Sequence, residues 1–143
     1  MLCKTKGDAM GYYYAEEEIE AMKGKELLSV DIAANKESVT FRFMDGTSQS
    51  FQVEGDCCSR SWIEHLELPC DVRGLVIEGF HEDYMDATGD DKYNPPTPDD
   101  EYSHRMHDCL KVYSSKFVTS KGAIVLEYRN SSNGYYGGSL VAV

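Results

Sequence analysis

The stretch Val39-Thr40-Phe41-Arg42-Phe43-Met44-Asp45-Gly46-Thr47-Ser48-Gln49-Ser50-Phe51-Gln52-Val53 decides the fold. Val39, Phe41 and Phe43 alternate with Thr40 and Arg42, and Phe51 and Val53 carry the same face after the break. Alternation with a period of two puts successive side chains on opposite faces of a strand. Asp45-Gly46 supplies the positive φ that a tight connection needs, so this stretch predicts a β-hairpin. On its N-terminal side Leu28, Val30 and Ile32 alternate with Ser29 and Asp31, which extends the hairpin to a three-stranded meander. Further out, Ala15 to Met22 predicts a short helix. Its acids at Glu16, Glu17 and Glu18 favour the positive end of the helix dipole, and Gly24 stops it.

On the C-terminal side the period changes. Cys58, Trp62, Ile63 and Leu66 recur at helical spacing, which predicts a short helix over 57–68 that Pro69 ends. Asp56 is placed to cap it, Cys58 would pack inward with Trp62, and Trp62 would share one core with Phe41. Gly74 to Phe80 reads as a strand around Leu75, Val76 and Ile77. Glu82 to Glu101 then holds eight acids and one Lys, with Asn94-Pro95-Pro96-Thr97-Pro98 unable to form helix or inner strand. This predicts an acidic, Pro-containing loop over 82–107. Order returns from Cys109 to Thr119, Lys121-Gly122 turns the chain, and Ala123 to Arg129 is a strand with Ile124, Leu126 and Tyr128 on one face. Ser131 to Gly134 reads as a second hairpin loop, and Tyr135 to Val143 closes the sheet. The expected fold is therefore one α+β domain over 1–143. It comprises a curved, mainly antiparallel sheet of about six or seven strands with one or two short helices.

At 143 residues the chain is long enough to bury a core without staples. No apolar run has the length of a membrane span, and the first ten residues lack the apolar stretch of a signal peptide, which predicts a cytoplasmic protein. Cys3, Cys57, Cys58, Cys70 and Cys109 form an odd set without framework spacing and read as free, partly buried thiols. A net charge of −11 argues against direct nucleic-acid binding, which needs a surplus of Lys and Arg. It leaves room for a basic protein partner.

Two short segments carry a resemblance. Asp56-Cys57-Cys58-Ser59 in the middle and Ser132-Asn133-Gly134-Tyr135-Tyr136 near the C-terminus resemble a family of small, functionally unassigned proteins of tailed bacteriophages. That family pairs an Asp-Cys-Cys element with a late Ser-Asn-Gly-Tyr-Tyr hairpin. The likeness runs from about Lys25 to Leu68 and from about Val112 to Val141. It implies a fold and a phage origin, and supplies no reaction.

Several groupings contain residues of catalytic or metal-ligating type. His104, His107 and Cys109, with Cys57, Cys58 and His65, offer zinc-type donors, but no Cys-x-x-Cys pair exists, and a polar loop beside buried cysteines is the better reading. Asp83, Asp86, Asp90 and Asp91 miss calcium-loop spacing. Cys57 or Cys58 with His65 and Glu64 draws a triad without a nucleophile turn or an oxyanion loop. The expectation is no metal, no cofactor and no catalysis.

Two binding surfaces remain. Asp86, Asp90, Asp91, Asp99, Asp100 and Glu101 would act as a phosphate mimic against a basic groove of a bacterial defence protein, in the manner of an anti-CRISPR inhibitor. Tyr128, Arg129, Asn133, Tyr135 and Tyr136 would instead hold a cyclic nucleotide signal, with the protein acting as a sponge. An accessory phage protein without a defence role is a third reading. An exposed edge strand would also invite homodimer formation.

Overall fold

The computed structural model describes residues 12, 15–55, 59–88, 109–132 and 137–143. Within them one helix precedes eight strands. These are α1 (Glu16–Met22), β1 (Leu27–Ile32), β2 (Ser38–Phe43), β3 (Ser48–Gly55), β4 (Ser59–Glu67), β5 (Ile77–Asp86), β6 (Cys109–Thr119), β7 (Gly122–Ser132) and β8 (Gly138–Ala142).

The meander forms as its alternation requires. Val39 pairs with Phe51 and Phe41 with Gln49 across the β2–β3 hairpin. At its turn Gly46 has φ +86°, and the Asp45 carboxylate accepts hydrogen bonds from the Thr47 amide at 2.9 Å and its hydroxyl at 2.5 Å. Those bonds, the hydroxyl's foremost, hold the Asp45 carboxyl below its ordinary range.

The eight strands do not form one sheet. They divide into two antiparallel sheets of four, ordered β1-β2-β3-β8 and β4-β7-β6-β5. This corrects the expected α+β sheet of six or seven strands: the described chain is mainly β, with one seven-residue helix. The sheets pack face to face. Phe41 lies 4.7 Å and Phe51 6.4 Å, ring to ring, from Phe117 of the opposite sheet, and Phe80 is 4.9 Å from the same ring. Val39, Phe43, Val53 and Leu140 on one side and Ile63, Ile77, Ile124 and Leu126 on the other complete this core, with Ile19 and Met22 of α1 covering it. Along one flank the sheets are tied by the Glu26–Val76 bridge.

The helix expected over 57–68 is instead strand β4, paired with β7 from Ser59↔Ser132 to Glu67↔Val125. The cause lies in burial on both faces. Ser61, Trp62 and Ile63 are consecutive and all buried, so the alternation that marks a half-exposed strand is lost. A bulge between Ile63 and His65 then shifts the pattern by one residue, and the sum imitates helical spacing. Consequently Trp62 does not join Phe41. It faces outward, in a separate cluster with Ala87, Leu110 and Val112.

The loop expected from Glu82 also begins later. Glu82 to Asp86 continue β5, in register with Ser115 to Lys111 of β6. Strand pairing overrides acidic composition because each carboxylate there has a neighbour to meet: Ser115 donates to Glu82 at 3.0 Å, and Lys116 pairs with Asp83 at 2.7 Å.

Candidate functional site

Strand β6 crosses the interior from an apolar end to a polar one. Phe117 marks the first; toward Cys109 the same face carries Ser115, Tyr113 and Lys111, all buried. Tyr113 and Tyr128, opposite each other in register, stack with centroids 4.8 Å apart and planes 5° from parallel. The Tyr128 hydroxyl donates to Glu82 at 3.0 Å, and the Tyr113 hydroxyl accepts from the Gly138 amide at 3.1 Å. The two sheets are thus hydrogen-bonded through a tyrosine. Burial, and then the Glu82 carboxylate, push the Tyr128 phenol well above its ordinary pKa, so it stays protonated and donating.

Beyond the tyrosines lies Asn130, wholly buried, whose Nδ2 donates to Ser59 at 3.1 Å and Ser61 at 3.0 Å. Its Oδ1 is buried and finds no hydrogen-bond partner among the described residues. Ser61 in turn donates to the Glu54 carbonyl at 2.9 Å. Two glycines in register, Gly55 and Gly138, press onto this group. A Cβ at Gly55 would stand 2.4 Å from Ser59 Oγ, and one at Gly138 would stand 2.9 Å from Ser61 Oγ. The polar end is therefore filled by its own side chains. Lys111 is fully buried on the same face, and burial lowers its pKa while the Asp86 charge partly restores it.

The outward face of β4 and β7 bears a different set. Arg129 is bound by Glu127 at 2.9 Å and approached by Glu64 at 3.7 Å, and Glu64 also accepts the Trp62 indole N–H at 2.8 Å. On the far side of the molecule α1 lies against edge strand β5. Glu16, Glu17 and Glu20 of α1 are exposed, Glu78 is exposed near the start of β5, and Asp83 and Asp86 are exposed further along that strand.

A model of the domain of unknown function DUF7448 matches residues 20–142, from the second turn of α1 through β8. The chain belongs to that family. No curated protein and no solved structure matches it. Both segments that suggested a phage family, 56–59 and 132–136, fall inside the DUF7448 domain. Their flanks meet, since Gly55 pairs with Gly138 and Ser59 with Ser132, whereas their interiors at 56–58 and 133–136 lie outside the described residues.

The sequence-predicted site residues disperse across the DUF7448 domain. Asp86 is exposed at the end of β5; Asp90, Asp91, Asp99, Asp100 and Glu101 lie outside the described residues. Tyr128 is a core residue and Arg129, its neighbour, points to the opposite face, while Asn133, Tyr135 and Tyr136 lie outside the described residues. Of the metal candidates, Cys109 is buried and disulfide-bonded, which corrects its reading as a free thiol. Cys70 is free and exposed, His65 is exposed on β4, and His104, His107, Cys57 and Cys58 lie outside the described residues. Sequence reading missed Lys111, Asn130 and Glu82. The signal for Glu82 and Lys111 was parity: each sits an even number of residues from a core aromatic, Phe80 or Phe117, in its strand. Among the described residues no helix is long and apolar enough to cross a membrane.

Proposed function

We propose that the protein is a phage-encoded, non-enzymatic counter-defence factor that works in the host cytoplasm by binding and blocking a bacterial immune effector. Its acidic face stands in for nucleic-acid phosphates in a basic groove of that effector. The observation that supports this reading is the acidic rim, the exposed carboxylates carried by α1 and along edge strand β5, which lead, in sequence, to Asp90, Asp91, Asp99, Asp100 and Glu101. Exposed carboxylates in excess over cations attract a basic surface over a long range and accelerate its capture. The phage origin rests on the two segments at 56–59 and 132–136.

The test is to purify the complex from a host lysate, identify the bound effector, and titrate it by calorimetry at low and moderate salt. A phosphate mimic loses affinity steeply as salt rises and on charge reversal of Asp83, Asp86, Asp90 and Asp91. The same titration against cyclic dinucleotides tests the sponge. Tight stoichiometric nucleotide binding that survives charge reversal would overturn the proposal.

A further inference from the structure

A notch of about 200 Å³ opens between α1 and β5, lined by Tyr12, Glu16, Ile19, Glu20, Lys23 and Phe80. Small-molecule sites generally run from about 300 to 1,000 Å³, so a space of this size suits a single side chain. Its inner wall is aromatic: Tyr12 meets Phe80 edge-on, with centroids 4.8 Å apart. Ile19 closes the floor and is buried. Its rim is charged but unevenly used. Glu20 is paired with Lys23, one turn along α1, whereas Glu16 is exposed and forms no ion pair among the described residues. An unpaired carboxylate lining the same notch as aromatic rings is the combination that recognises a flat cation.

We propose that this notch receives one arginine side chain of a basic protein partner. The proposal rests on the acidic-rim reading above and gives that rim its point of specific contact. A guanidinium fits better than an ammonium for two reasons. It is planar and weakly hydrated, so it stacks on Phe80 or Tyr12 at little desolvation cost, and its fork of donors meets the Glu16 carboxylate bidentately. Charge complementarity favours it further, because the acids of α1 outnumber Lys23. Tyr12, Glu16 and Ile19 precede residue 20, so one wall of the notch comes from sequence outside the span of the DUF7448 match.

Hexa-arginine titrated into the isotope-labelled full chain at low salt, with backbone amide shifts followed by NMR, tests this. The expected result is shifts concentrated at Ile19, Glu20 and Phe80, with weaker binding of hexa-lysine. Glu16→Gln and Phe80→Leu should each lower the affinity about threefold or more. Glu67→Gln, which removes the same charge from the distant strand β4, should not. Glu16 is exposed, so its variant keeps the fold, and a dispersed amide spectrum verifies this for both. If hexa-arginine binds but Glu16→Gln and Glu67→Gln behave alike, with shifts away from Phe80, the notch proposal is overturned and the acidic-rim reading stands. If hexa-arginine does not bind at low salt, both are overturned.

Discussion

The two ends of strand β6 hold the same backbone in opposite chemical surroundings. At Phe117 the inward face meets Phe41, Phe51 and Phe80, and stability comes from apolar area removed from water. At Lys111, some 20 Å along the strand at ordinary strand rise, the same face meets Asn130, Ser61 and the tyrosine pair. There each polar group costs free energy unless a partner is supplied, and the Asn130 carbonyl oxygen has none among the described residues. The contrast teaches that the fold is stabilised at one end and specified at the other. Apolar packing tolerates small rearrangements, whereas a hydrogen-bonded polar cluster fits one register alone.

Substitutions along the interior sharpen this contrast. The largest effect is expected at the apolar end, where Phe117→Ala removes a ring that touches three others and should cost about 3–5 kcal/mol in urea unfolding. A loss below about 1 kcal/mol would mean that the two sheets do not depend on that contact. Next comes Gly138→Ala. The added carbon meets Ser61 Oγ at 2.9 Å and Asn130 Cβ at 3.2 Å, so overpacking should cost about 1–3 kcal/mol, although a single methyl is added. An unchanged midpoint would show that the polar end relaxes, contrary to its expected rigidity.

Tyr128→Phe should cost about 1–2 kcal/mol, because Glu82 keeps Ser115 but loses the phenol. Its effect depends on pH. The folded phenol titrates above its unfolded value of about 10, so its contribution is complete below that pH and is lost as pH rises through the higher folded pKa. Wild type should therefore lose stability on the alkaline side more steeply than Tyr128→Phe, as alkaline denaturation followed by circular dichroism would reveal. Equal slopes would place the phenol in water. The smallest change is expected at Asp83→Asn, since its pair with Lys116 is exposed and salt screens it; thermal midpoints at low and high salt should stay within scatter of wild type.

The first sheet was legible from sequence because each strand has one wet face. Val39, Phe41 and Phe43 stand buried between exposed or half-exposed neighbours, and Asp45-Gly46 fixes the turn between them. The second sheet was half legible. Ile124, Leu126 and Tyr128 announced β7, and that same alternation already placed Arg129 on the other face from Tyr128, against a joint ligand pocket. β4 was hidden by burial on both faces, and the C-terminal half of β5 by its acids. The division into two sheets was not legible at all. It depends on pairings such as Gly55↔Gly138 and Ser59↔Ser132, which join residues far apart in the chain and leave no local periodicity. The candidate rim was visible as acidic composition, but the aromatic notch within it required α1 and β5 to be brought together in space.

The pairing of β3 with β8 also orders events in time. A ribosome delivers β1, β2 and β3 early, and their meander is local enough to form at once. Its far edge, residues 51–55, must then wait for residues 138–142. During that interval an unsatisfied strand edge stands open to any passing chain, the situation in which nascent proteins misassociate. Gln52 on that edge is polar and Glu54 is charged, and a charge on an open edge disfavours such pairing.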